Sequence, residues 1–162
     1  MDEGKSRKVK LTPNQARLKL ESYCAYQERA QQEVRSKLYE YGLYPNEVEQ
    51  IISELIENNF LNEERFAKAY VSGKFKIKKW GKLKIVQGLK FKQVSSPLIK
   101  LALKEIDLNE YYETLSAILT KKNNSLVESD PFKRKNKLAQ YALSRGFESN
   151  LVWEILNNNA VD

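Results

Sequence analysis

The chain has 162 residues, room for one compact domain or a short array of smaller units. It carries 28 Lys and Arg against 21 Asp and Glu, a formal charge of +7, with only 6 Gly and 4 Pro, which suits helices and argues against a turn-rich sandwich or barrel. There is no His and a single Cys, which removes Ser-His-Asp and Cys-His catalysis, zinc sites built on His and Cys, disulfides, and any switch based on imidazole. No uncharged stretch exceeds seven residues, so neither a membrane-spanning helix nor the core of a secretion signal is present, and a soluble cytoplasmic protein is expected.

Residues 1 to 11 show no periodicity and read as a disordered basic tail. An amphipathic helix follows Thr12-Pro13, with Ala16, Leu20, Tyr23 and Cys24 on its apolar stripe. A break near Arg29 and Ala30 leads to a second helix with Val34 and Leu38, closed at Gly42 and Leu43. Behind Pro45 the spacing of Val48, Ile51, Ile52 and Leu55 predicts a third helix burying one face.

The next segment opens with Phe66, Ala67, Tyr70 and Val71. From there the earlier pattern returns at a constant offset of 51, with Ile85, Leu89, Val94, Ile99, Ala102, Leu103 and Ile106 opposite Val34, Leu38, Leu43, Val48, Ile51, Ile52 and Leu55. A third copy stands at an offset of 104. Tyr112, Leu115, Ile118 and Leu119 lead into it, and Leu138, Ala142, Gly146, Phe147, Val152, Ile155 and Leu156 repeat the motif, with Asn159 replacing the last apolar position. The prediction is an all-α fold: an elongated, curved array of three tandem three-helix repeats over 12–60, 61–107 and 108–162. All four prolines sit at helix starts, at Thr12-Pro13, Pro45-Asn46, Ser96-Pro97 and Asp130-Pro131, beside residues that cap well. The polar link Lys122–Asp130 is the expected flexible point, and the Asn-rich end at 157–162 is expected to fray.

Charge is distributed unevenly over these repeats. Residues 13–61 sum to −3 and 105–162 to −2, whereas 66–104 hold eleven lysines and no acid. Within that middle segment Gly73 to Ile85 reads GKFKIKKWGKLKI. Such a field attracts polyanions, and the missing acids favour a binding role over a merely solvated loop. The candidate partner-binding residues are Lys74, Lys76, Lys78, Lys79, Trp80, Lys82, Lys84 and Lys90. Trp80 is read as packing first and as a base- or pocket-contacting group second. A membrane surface fits less well, because the helix after Gly81 has no sustained division into basic and apolar faces. Cys24 is assigned to the core. There is no GxxxxGK[ST] loop and no GxGxxG, and the pair Glu63-Glu64 is read as charge at a helix start, so no catalytic residue, metal or cofactor is assigned and no enzyme is expected.

Four segments together resemble the RecX regulators of RecA-type recombinases. They are ERAQQEVRSKL from Glu28 to Leu38 with Gly42 beyond it, LNEERFA from Leu61 to Ala67, WGKLKI from Trp80 to Ile85 continuing to Leu89 and Lys92, and RGF from Arg145 to Phe147. Two positions depart from that pattern. Ala30 stands where the family usually has Ser, which removes a side-chain cap, and Gln93 stands where it favours Gly, so that a different turn is expected there. The resemblance implies an accessory protein that lodges in the helical groove of a recombinase filament on single-stranded DNA and restrains ATP hydrolysis, strand exchange and co-protease activity; a monomer is expected. The alternative is a module that binds nucleic acid directly, without a protein partner.

Overall fold

The computed structural model describes residues 9–158, and every regular element among them is a helix. In chain order these are α1 (Pro13–Tyr26), α2 (Gln31–Glu40), α3 (Pro45–Glu57), α4 (Glu63–Lys76), α5 (Lys82–Phe91), α6 (Ser96–Leu103), α7 (Leu108–Ser125), α8 (Pro131–Ser144) and α9 (Ser149–Asn157). None of them is long and apolar enough to cross a membrane. Asn159 and most of the expected tail lie outside the described residues. Within that tail Leu11 is not loose: its amide donates to the Tyr41 carbonyl at 3.0 Å and its side chain packs on the first core.

Thr12 and Gln15 form a reciprocal cap at the start of α1, and the Asp130 carboxylate accepts from Phe132 and Lys133 at the start of α8. The other two proline sites differ from expectation. Asn46 and Ser96 lie inside their helices, and α3 is instead capped by Glu47, which accepts the Tyr44 amide at 3.0 Å. At α2 the missing Ser cap is offset from a distance: Ala30 offers no side-chain bond, but the Glu63 carboxylate accepts the Gln31 amide at 3.2 Å. Burial pushes the Glu63 carboxyl above its usual range, with the Gln31 hydrogen bond opposing.

The chain divides into two compact units. The first runs to Ala67 and takes in Lys92–Val94. Its core is Ala16, Leu20, Cys24, Val34, Leu38, Leu43, Val48, Ile51, Ile52, Leu55 and Leu61, built by α3 packing on α1 and α2. Every apolar position expected to be buried in the first repeat is there except Tyr23, which is half-buried. The second unit is Lys68–Phe91 with Ser95 onward, where α5 packs on α6, α7 on α8 and α8 on α9. Its buried side chains include Val71, Phe75, Ile85, Leu89, Tyr111, Leu115, Leu119, Ala142 and Phe147. The helix α7 turns on a different register from the expected one. Tyr111, not Tyr112, is fully buried, and Ile118 is only half-buried.

The three repeats end their middle helices alike. Gly42, Gln93 and Gly146, related by the offsets 51 and 104, have φ of 81°, 61° and 94°. Gln93 therefore takes up the same left-handed turn as the two glycines, at a steric cost of roughly 1–2 kcal/mol. The link after α7 is likewise more constrained than expected. Arg134 of α8 donates to the carbonyls of Asn123, Leu126 and Glu128 and to the Asn123 side chain, at 2.7–3.0 Å.

Candidate partner-binding site

The lysine-rich stretch spans the end of α4, a five-residue turn and the start of α5, all in the second unit. Lys74 and Lys76 sit in the last turn of α4, where the helix dipole favours cations. Lys78 and Lys79 occupy the turn, and Lys79 is left-handed with φ of 58°. Lys82 and Lys84 open α5, where the same dipole disfavours them, and an anion brought to that end relieves the conflict.

This turn is built onto a second one, between α8 and α9. The Gly81 amide donates to the Arg145 carbonyl at 2.8 Å and the Leu83 amide to the Gly146 carbonyl at 3.0 Å. The backbones approach so closely that a Cβ on Gly81 would overlap the Gly146 carbonyl and the Phe147 nitrogen. Close approach is thus the physical reason for glycine here. Arg145 adds its guanidinium, donating through Nη2 to the Lys78 carbonyl and, at 3.5 Å, to the Lys79 carbonyl. The WGK and RGF segments are two halves of one contact.

Beneath the turn lies Tyr111, in ring contact with Phe75 at 5.8 Å and Phe147 at 5.2 Å. Its hydroxyl accepts the Lys82 amide at 3.0 Å and donates to the Glu148 carboxylate. Burial, reinforced by that carboxylate, pushes the phenol far above its usual range, so it remains a donor. The first amides of α5 are consequently occupied by protein groups. An anion at this site must be held by side chains.

The eight residues predicted for binding fall into two sets. Lys76, Lys78, Lys79 and Lys90 are exposed. Lys74, Lys82 and Lys84 are half-buried over aromatic rings: Lys74 and Lys84 stand 4.8 and 4.6 Å from the Trp80 ring centre, and Lys82 stands 4.9 Å from that of Tyr111. Half-buried Trp80 thus serves as a platform for two ammonium groups. No carboxylate pairs with any of these seven lysines among the described residues, whereas their neighbours Lys68 and Lys92 pair with Glu105 at 3.6 Å and Glu33 at 3.1 Å.

Three basic residues absent from the prediction join this surface. Lys79 and Arg145 line a cleft of about 570 Å³ together with Lys121, Lys122 and Tyr141, and Glu110 and Glu113 stand along the same cleft. Lys122 lies 4.9 Å from the Tyr141 ring centre. Nothing in the local sequence of Lys121 and Lys122 marks them, since they belong to a segment of net negative charge. Tyr111 could have been found from its i, i+4, i+8 spacing with Leu115 and Leu119, but the adjacent Tyr112 makes that reading ambiguous.

Comparison with known proteins gives the family. Residues 62–103 match the model of the second three-helix domain of RecX, and residues 109–156 that of the third. The Regulatory protein RecX of Clostridium acetobutylicum is 32% identical over 132 residues, covering 79% of this chain and 61% of that protein. That of Clostridium perfringens is 31% identical over 140 residues, covering 83% and 65%. The chain therefore spans a little under two thirds of the length of these curated relatives. In fold it is similar to the crystal structure of RecX from Lactobacillus salivarius, with a TM-score of 0.82 at 22% identity over 90% of this chain and 95% of the other. A crystal structure of regulatory protein RecX gives 0.81 at 23% identity over 90% and 71%. With two successive RecX domain models matched over more than half of its length, the chain belongs to the RecX family.

Proposed function

We propose that this chain is a non-catalytic regulator that binds a RecA-type recombinase filament on single-stranded DNA, lodges in its helical groove and inhibits ATP hydrolysis, strand exchange and co-protease activity. The repeats 12–60, 61–107 and 108–162 act together in this reading, and the middle one supplies the contact. Its identity as a regulator rests on the family, whose members carry that name. The observation that carries the site is the anchored lysine turn: seven lysines without a carboxylate partner among the described residues, on a backbone held by Arg145, Gly146 and Tyr111. A charged surface held in one shape binds a polyanionic assembly without the cost of ordering a loop.

The test replaces Lys76, Lys78, Lys79 and Lys90 by Glu, which spares the lysines packed on rings. Filament affinity is expected to fall by at least tenfold, about 1.4 kcal/mol, with a flatter salt dependence. Glu40→Lys with Glu57→Lys is the control for total charge, and it should change affinity little. Equal affinity and inhibition from the folded four-lysine variant would remove the site. Titration against naked single strands, free recombinase and assembled filament distinguishes this reading from direct nucleic-acid binding, which predicts no preference for the filament.

A further inference from the structure

The first unit holds a second cationic surface, which the net charge of its segment conceals. Residues 13–61 contain five basic side chains among eight acids. Two of the five are neutralised: Arg17 pairs with Glu21 at 2.9 Å, and Arg35 forms a two-pronged pair with Glu49 at 2.8 and 3.1 Å. The other three, Lys19, Arg29 and Lys37, gather around a cleft of about 660 Å³ with Tyr23, Tyr26 and Tyr41. Among the described residues no acidic side chain lines it.

The geometry of this cluster is that of rings and cations in register. The Arg29 guanidinium lies 3.6 Å from the Tyr23 ring centre and 6.0 Å from that of Tyr26, and its Nε donates to the Tyr23 carbonyl at 2.9 Å. That leaves both terminal nitrogens for a ligand. Lys37 stands 5.7 Å from the Tyr23 ring and Lys19 5.9 Å from the Tyr41 ring. Lys19 and Arg29 pair with no carboxylate among the described residues, and Lys37 has only a 3.9 Å approach to Glu40. Tyr26, at the end of α1, is 84% exposed, a large aromatic face turned to solvent.

We propose that this cleft is a binding site for single-stranded nucleic acid, in which a base stacks on the exposed ring of Tyr26 while Lys19, Arg29 and Lys37 contact the phosphates. The pairing of planar apolar faces with unpaired cations selects this ligand. An acidic peptide uses the cations and leaves the rings idle, and a duplex keeps its base faces stacked inside. The site shares no residue with the lysine turn, so it stands or falls separately from the filament reading.

The test is fluorescence anisotropy of the whole chain with a labelled oligothymidylate of about fifteen nucleotides. Tyr26→Ala should weaken binding by at least fivefold, since stacking on one aromatic contributes roughly 1–3 kcal/mol, and Tyr26→Phe, which keeps the ring face, should restore it. Lys19→Glu should weaken binding similarly and reduce the salt dependence. The Tyr26→Ala loss should persist in the background of the four lysine reversals and vanish on an abasic strand of equal length. The proposal is overturned by no measurable binding of the oligomer, by a folded Tyr26→Ala protein of unchanged affinity, by equal loss on the abasic strand, or by polyglutamate competing as well as the oligomer.

Discussion

Arg145 donates to the carbonyl of Lys78, a residue sixty-seven positions earlier, and so fixes the turn that carries the lysines from the turn that follows α8. The guanidinium sits on carbonyls of the turn just beyond the end of α4, a side where a cation also complements the helix dipole. Arg145→Ala is expected to speed amide exchange at Trp80 and Gly81 by at least tenfold and to lower filament affinity with every lysine still in place. Arg145→Lys restores the charge without the fork and should recover only part of the loss. Unchanged exchange in the alanine variant would mean that the backbone contact alone holds the turn.

Tyr111→Phe removes one hydroxyl and leaves the Lys82 amide and the Glu148 carboxylate short of a partner. A loss of roughly 1–3 kcal/mol is expected, as for other buried groups left unsatisfied, measured by urea denaturation. A variant as stable as the parent would show that water replaces the hydroxyl.

Two of the three non-glycine residues with left-handed backbone among the described residues, Gln93 and Lys79, separate stability from binding. Gln93→Gly and Lys79→Gly should each relieve backbone strain and raise stability by about 0.5–1 kcal/mol, the steric gain exceeding the added freedom of the unfolded chain. Only Lys79→Gly should also weaken filament binding. A destabilised Gln93→Gly would overturn the strain argument.

Glu63 has a folded-state pKa above its unfolded value, so its contribution is fully present below the ordinary glutamate range and is lost as pH rises through the raised value. Glu63→Gln keeps an oxygen for the Gln31 amide without the buried charge. It should be more stable than the parent at neutral pH, by a margin that shrinks toward about pH 4. A less stable variant at neutral pH would show that the charge at the start of α2 outweighs its desolvation.

Helix order and most of the core were legible because the repeat writes the same apolar spacing three times, and Val34, Ile85 and Leu138 are buried in their corresponding places. The lysines were legible as composition. Their support was not, because it comes from pairs far apart in sequence: Gly81 with Gly146, Lys82 with Tyr111, Lys78 with Arg145. For the same reason a chain cut near Asp107 does not preserve the site, since α7 and the turn after α8 would be gone. The tyrosine cleft was hidden by summation. Five bases and eight acids give a negative total, and only the structure shows which of them neutralise one another.

The only cysteine, Cys24, is buried in the first core, and burial pushes its thiol up to about 11. It is thereby shielded from alkylating reagents in the folded state. A cysteine introduced at an exposed position, such as Lys90 beside the lysine turn or Ser22 beside the tyrosine cleft, would be the sole site to take a maleimide dye. The wild-type background is thus ready for single-site labelling, and a fluorophore on each surface in turn would report which one a strand or a filament reaches first.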